Sequence, residues 1–590
     1  MSITGPATRY GPRVAEGRPL HEQLLSWQRG LAATATSPAL VLVGIAALAL
    51  LLRLPNYASR DLWDDELIQY HICTAPSLAE MFQSLVRSDR NPPGFALLAR
   101  AALQFSDSDM MLRLPSLLGG MGAVVLAWYA GKSWLGTQGA AVTAAIAAVC
   151  PTYIFFSREA RPYSVGLCAV YAYLVCLNAF RNGPSLRKAV LLGSVSAAAI
   201  SVQYANIPLV GVTLATAAVV SFLSGQRNWR SLGCWGLVAV VAAGAVAIDV
   251  ARFLVPQVSV HGTGKTDFLR TYFFDLASLR SACEFIPHST AGFLSHISLT
   301  EMMAPGWQPV CLLGWLPLAA GVLVVGWDQR ACERRPTIND VALGGPALAS
   351  SLVPPYAQGG GKSVQLLAML TVTTYAAFLL LAGTGAHPFG AIRHTLPLSP
   401  LVFLLYAAGL VALHRRGGPW RLAGWLASAL LLTQMGVADA EVLPSYHRFD
   451  YRRMKDYVDT RRGPNEAVLV AGYWASAKYQ HLAGSTEAAQ PPWYYVPISP
   501  VPDLEELPAV KKLVEFSLDE GPGLWVIEIE DSPSDFGLGR LGAVGERHPM
   551  MGVRATHWTR AKQQTAGIKV KSCPLGSRKS GHHLARTSSP

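Results

Sequence analysis

The sequence is short of charge. Of its 590 residues only 15% are Asp, Glu, Lys or Arg, against about 25% in soluble domains, so the polar surface that would solvate a globular chain of this size is missing. Paired cysteines are missing too. The nine cysteines contain no CxxC, and Cys150, Cys168, Cys176, Cys234 and Cys311 fall inside apolar runs. They read as buried thiols, not as a disulfide framework. A nucleotide-binding loop is absent, because Gly361-Lys362-Ser363 lacks the first glycine at the required spacing and a preceding strand. His261, His288 and His296 match no ligand spacing such as HExxH, so neither a metal nor a cofactor is expected. Acidic residues stop at Glu546, which leaves residues 562–590 basic and rich in Ser and Gly and predicts a disordered tail.

What is abundant is apolar sequence. Hydrophobic residues make up 51% of the chain, and they are concentrated between about residues 37 and 438 in runs near the roughly 17–25 residues that cross a bilayer as a helix. Eleven spans are predicted, at 37–54, 112–131, 137–156, 163–180, 188–205, 207–224, 232–254, 309–327, 364–383, 394–413 and 421–438. The pair flanking Pro208 is either a tight hairpin or a broken helix. The net charge of +12 does not point to nucleic acid, because Arg and Lys cluster between apolar runs and form no phosphate-tracking face.

Residues 1–36 carry Arg9, Arg13, Arg18 and Arg29, and no A-x-A site follows the first apolar run. That run is therefore read as an anchor preceded by a cytoplasmic segment, not as a cleaved signal. Alternate loops hold Lys132, Arg181, Arg187, Lys188, Arg227, Arg230, Arg330, Arg334, Arg335, Arg415, Arg416 and Arg421. The positive-inside rule puts them in the cytoplasm. Loops 55–111, 157–162, 255–308 and 384–393 then face outward, as does everything after the last span. Residues 336–363 read as a flexible cytoplasmic linker. From 439 to 561 helical stretches (451–462 and 476–482) alternate with strand-like runs (467–471 and 524–529), which predicts a small extracytoplasmic α/β domain.

Chemistry concentrates in the outward loops. Arg60-Asp-Leu-Trp-Asp-Asp-Glu66 places Asp64, Asp65 and Glu66 directly after the first span; Asp89-Arg-Asn-Pro-Pro-Gly94 ends the same loop; Arg113-Leu-Pro-Ser116 opens the second span. Pro151 to Tyr163 adds Arg158 and Arg161, and Arg393-His-Thr-Leu-Pro397 precedes a late span. Charges at helix ends are tolerable where charges at the bilayer centre are costly. Taken singly, each element also fits interfacial anchoring. As a set, the arginines could receive an anionic headgroup.

In order and spacing these elements resemble the bacterial members of glycosyltransferase family 39. This is the group of dolichyl-phosphate-mannose-protein mannosyltransferases and aminoarabinose transferases, which have the GT-C fold. The likeness is strongest over 40–205 and is carried again at 385–410. It implies a polytopic α-helical enzyme in the bacterial cytoplasmic (inner) membrane, with catalytic loop 55–111 in a body spanning 37–438. Such an enzyme moves a sugar from a polyprenyl-phosphate donor to a hydroxyl acceptor on the outer face, with inversion.

The acidic motif falls on Asp65 and Glu66, with Asp65 as the general base and Glu66 as its structural or acceptor-binding partner. Substrate binding falls on Asp89, Arg113, Arg158, Arg161, Tyr163, Arg393 and His394, although many relatives have Tyr where this chain has His394. An inverting displacement needs one carboxylate to accept the acceptor's proton and cations to meet the phosphate charge as it grows, which agrees with this set. Asp267, Arg270, Tyr272, Asp275, His288 and His296 in the loop 255–308 could read the acceptor, or could be ordinary polar loop residues. The competing readings are a transporter or flippase of a lipid-linked precursor, for which no internal repeat is evident, and a non-enzymatic envelope assembly protein.

Overall fold

The computed structural model describes residues 37–55, 57–58, 60–225, 228–261, 267–298, 312–320, 360–390, 392–445, 451–463, 466–471, 493–496, 508–519, 523–529, 543–550 and 553–560. The chain forms two compact units, Met1–Tyr446 and His447–Pro590.

The first unit is helical. After α1 (Pro38–Arg53) the first loop folds into three short helices, α2 (Asp64–Cys73), α3 (Leu78–Ser88) and α4 (Pro93–Leu103). Each start has a local cause. The Ser77 hydroxyl caps α3 by accepting the Glu80 amide, and Pro93 supplies the first-turn φ of α4. The second and third predicted spans form α5 (Asp109–Val149), whose two arms reverse direction at Gly136, at φ 83°. The arms press together at Gly131, where a Cβ would stand 2.7 Å from the Cα of Ala140. The second arm stops at Val149, short of the predicted 156. Pro151 pushes Cys150 out of the α region and starts a separate turn of helix, α6 (Pro151–Ser157).

There follow α7 (Tyr163–Arg181), α8 (Leu186–Val202), α9 (Asn206–Leu223) and α10 (Trp229–Asp249). The last of these runs on through a π-helical turn, Val250–Leu254, into Val255–His261. Ahead of Pro208 the helix is broken at 203–205: α8 ends at Val202 and α9, with Pro208 in its first turn, begins at Asn206. Further on come α11 (Leu279–Ser298), α12 (Gly360–Gly383), α13 (Ser399–Arg416) and α14 (Gly418–Ser445). The run predicted as a span over 394–413 opens as a 3-10 turn, Arg393–Leu398, before α13 begins.

Among the described residues, seven helices are long and apolar enough to cross a membrane. They pack through small side chains, the means by which helices approach closely in lipid. Gly119 sits against the Val165 backbone, and Ala123, Ala127 and Ala130 are fully buried. Two buried pairs link neighbouring helices: the 2.6 Å bond between the Tyr173 and Thr213 hydroxyls and the 3.1 Å bond from the Trp134 indole to the Leu174 carbonyl.

The second unit has α15 (Tyr451–Arg461), α16 (Pro508–Asp519) and a five-stranded sheet in the order β2-β1-β3-β5-β4. Its strands are β1 (Ala467–Ala471), β2 (Trp493–Val496), β3 (Leu524–Ile529), β4 (Ala543–Met550) and β5 (Val553–Arg560). Strand β1 pairs in parallel with both β2 and β3, while β5 runs antiparallel to β3 and β4. Val514 and Leu518 of α16 pack on Leu469, Leu524 and Val526. The strands β1 and β3 fall on the two runs read as strands from sequence. The three others are not among the predicted strands: β2 is a short Trp-Tyr-Tyr-Val run, and β4 carries Glu546, Arg547, His548 and Pro549. The segments 1–36 and 562–590, the helix read at 476–482, most of the span 309–327 and most of the linker 336–363 lie outside the described residues.

Candidate active site

The site starts at the N-terminus of α2. Glu66 is the third residue of that helix, so its carboxylate can turn back on the helix start, and it accepts the Trp63 amide at 3.2 Å. Asp65 lies about 100° away around the helix axis and therefore meets different neighbours. The Asp64 side chain is not among those described.

Glu66 is wholly buried and saturated. Arg113 grips it with two 2.8 Å bonds, one from Nε and one from Nη2. Arg60 adds a bond at 2.9 Å and the Ala160 amide one at 2.8 Å. Burial alone would push the carboxyl up, but the Arg113 and Arg60 charges and these bonds outweigh it and hold it at about 2. The rest of the Arg113 guanidinium donates to the Tyr57, Arg60 and Asp61 carbonyls, so all five of its N–H groups end inside the protein.

Asp65 is different. Its side chain is 21% exposed, and Oδ2 accepts from Arg393 Nη1 at 2.7 Å. Arg161 stands 3.7 Å from the same oxygen and also donates to the Asp65 carbonyl. Burial raises the Asp65 carboxyl, but Arg161 and Arg393 prevail and hold it below the usual carboxylate range. Arg161 reaches back to Asp89, at 3.2 Å to Oδ2 and 3.4 Å to Oδ1. One guanidinium thus bridges two carboxylates that lie 24 residues apart in the chain. Burial opposes its charge, yet Asp89 and Asp65 together keep Arg161 firmly protonated. Arg393, 32% exposed, lies 5.7 Å from the centre of the buried Tyr163 ring. His394 meets His387 edge-on at 6.1 Å.

Asp65, Glu66, Asp89, Arg113, Arg161, Tyr163 and Arg393, drawn from distant stretches of sequence, therefore meet in one place. Arg158 is turned elsewhere, donating to the Pro55 carbonyl. The acceptor candidates in 255–308 are spread out. The Tyr272 carbonyl accepts the Phe389 amide, the His296 carbonyl accepts the Thr152 hydroxyl, and His288 lines an open cleft with Phe274, Phe285, Arg280 and Glu284. The side chain of Asp267 is not described. Among the described residues, no three His, Cys, Asp or Glu side chains stand together as a metal site.

Sequence reasoning missed Arg60 and the Ala160 amide as partners of Glu66. Arg60 was detectable as the cation opening the acidic motif. A backbone amide gives no sequence signal.

Residues 90–248 match the family described as dolichyl-phosphate-mannose-protein mannosyltransferase. No curated protein matches the chain. Among solved structures, the chain is similar to ArnT from Cupriavidus metallidurans bound to undecaprenyl phosphate, at 13% identity and a TM-score of 0.46, over 89% of this chain and 98% of that one. It is similar also to the apo oligosaccharyltransferase of Archaeoglobus fulgidus, at 11% identity and a TM-score of 0.45, over 87% of this chain and 73% of that one. The matched segment holds Arg113 and Arg161, and it is built into a body of apolar helices. Over that segment the chain is similar to the dolichyl-phosphate-mannose-protein mannosyltransferases, and its described helices are those of a multi-pass membrane protein.

Proposed function

We propose that this enzyme transfers a sugar, with inversion, from a polyprenyl-phosphate carrier to a hydroxyl acceptor at the outer face of a bacterial cytoplasmic membrane, and that Asp65 is its general base. The observation that carries this reading is a contrast: Asp65 is the partly open carboxylate between two arginines, whereas Glu66 beside it is sealed. In the displacement the acceptor oxygen bonds to the anomeric carbon and its proton passes to Asp65. The bond from that carbon to the phosphate oxygen breaks, and the electron pair leaves on the polyprenyl phosphate. Arg161 and Arg393 meet that growing charge.

A carboxylate held low by two arginines is a weak base. When the donor phosphate takes up part of their charge, Asp65 rises toward its ordinary range and becomes a better proton acceptor exactly where the acceptor must sit. Arg113, with every donor engaged, serves in this reading as the clasp that fixes Glu66 and so the start of α2.

The outer-face assignment rests on the ends of the helices. Arg113 opens α5 and Arg393 stands before α13, both at the site. The far ends carry Lys132 and Arg181 in one region and Arg415 and Arg416 in the other, as the positive-inside rule asks of a cytoplasmic face. The test is purified protein with polyprenyl-phosphate mannose in membrane lipid, reading release of polyprenyl phosphate. Asp65→Asn should abolish release while leaving the fold intact. Release at the wild-type rate would end the assignment of Asp65. Mass spectrometry of envelope lipids, glycans and proteins from a deletion strain would name the acceptor.

A further inference from the structure

The π turn at Val250–Leu254 has a geometric consequence at the site. In an unbroken α-helix Asp249 and Gln257, eight residues apart, would lie about 80° apart around the axis. A π turn takes up one extra residue, which brings the pair to roughly the separation of two full turns and so onto one face. From that face Asp249 accepts the Ser201 hydroxyl at 2.8 Å, at the end of α8. Gln257, buried, accepts the Tyr204 hydroxyl at 3.2 Å and donates to the Asn91 carbonyl at 2.9 Å.

Asn91 in turn donates its side-chain amide to Asp89 Oδ1 at 2.9 Å, beside the Arg90 amide at 2.7 Å. Asp89 holds Arg161. Packing fixes the same turn independently: a Cβ on Gly94 would come 2.4 Å from the Ser201 carbonyl oxygen. A continuous path thus runs from the helix break at 203–205 through Gln257, Asn91 and Asp89 to the guanidinium beside Asp65.

We propose that Gln257 is a positioning residue for Arg161, acting through Asn91 and Asp89, and that the π turn exists to aim it. Gln257 touches neither substrate nor the reacting atoms. Its amide sets where the turn 89–91 sits, the turn sets the Asp89 carboxylate, and that carboxylate sets the plane in which Arg161 faces the donor phosphate. The proposal rests on the reading of Asp65, Arg161 and Arg393 as the active centre.

The test is a variant series assayed for release of polyprenyl phosphate from polyprenyl-phosphate mannose. Gln257→Leu should lower kcat about tenfold, the scale of one lost buried hydrogen bond. Gln257→Glu keeps the size and the Tyr204 acceptor but loses the donor to Asn91. It should fail to rescue, whereas rescue by Glu would show that Gln257 only fills space and would overturn the proposal. In an Asp89→Asn background Gln257→Leu should cost less than a further twofold, because both act on one guanidinium; losses that multiply would also overturn it.

Hydrogen exchange on the detergent-solubilised protein gives a readout independent of activity. Gln257→Leu should speed exchange in residues 86–96 and 158–163, and a change confined to 250–261 would refute the path. Asp65→Asn separates the two layers of the argument. Wild-type release in Asp65→Asn sinks the active-centre reading, while loss there combined with a wild-type kcat in Gln257→Leu sinks only the role of Gln257.

Discussion

Around Glu66 every oxygen lone pair is met by a donor from the protein, and no water reaches the carboxylate. One residue earlier, Asp65 meets two arginines, Arg161 buried and Arg393 about a third exposed, and a fifth of its own side chain is exposed. Both are acids in the same helical turn. The difference shows how one motif can hold a structural and a reactive carboxylate: the side chain that curls back to the helix start is captured by its own loop and by Arg113, and its neighbour is left to face the groups that come from afar. Glu466 in the second unit repeats the first case, with Trp525 Nε1, His557 Nε2 and the Gly463 amide all at 2.8–2.9 Å.

The comparison breaks most sharply at Asp65. Asp65→Asn is expected to lower transfer by about 10²–10⁴-fold, the range of a lost general base, with a melting temperature close to wild type; a loss of folding instead would make Asp65 a second Glu66. Glu66→Gln should do the reverse. It leaves Arg60 and Arg113 buried without their anion, at a cost of roughly 3–5 kcal/mol of stability, seen as a clear drop in melting temperature. Arg393→Ala removes the more exposed arginine, and the donor KM should rise about tenfold, a smaller loss than at Asp65 because Arg161 remains.

The pH dependence sharpens the contrast last. Glu66 is depressed when folded, so its contribution is complete above its ordinary value of 4.5 and fades as pH falls toward about 2. Thermal stability measured over that window should decline in the wild type and lose that component in Glu66→Gln. Asp65, also depressed, should place the acid limb of kcat/KM for the free enzyme below the ordinary aspartate value of 3.8, with the limb of kcat at higher pH because the bound phosphate draws charge from its arginines.

Much of the body was legible because apolar runs of bilayer length leave few alternatives to a helix, and the runs near 112–131, 163–180 and 207–224 lie within helices of the structure. Departures came where prolines and backbone geometry intervene: the stop at Cys150, the 3-10 turn at Arg393 and the π turn after Asp249. The site residues were legible as kinds. Arginines and carboxylates at helix ends next to a membrane demand a reason, and the order of the motifs supplied one. Their division of labour was not legible, since Arg113 and Arg161 are both arginines at the head of an apolar helix, and only their partners separate a clasp from a group that faces the donor.

The sequence by itself determined that this chain is a membrane body of apolar helices, and which few charged segments were available for chemistry, because transfer into lipid is decided residue by residue along the chain. Only the tertiary structure decided that Arg393 reaches Asp65 across 328 residues of sequence, that Glu66 is closed while Asp65 is open, and that Gln257 stands behind Asp89. Those facts depend on how helices pack and where a turn adds one residue, and a hydrogen bond falls off too steeply with distance for either to be read from spacing alone.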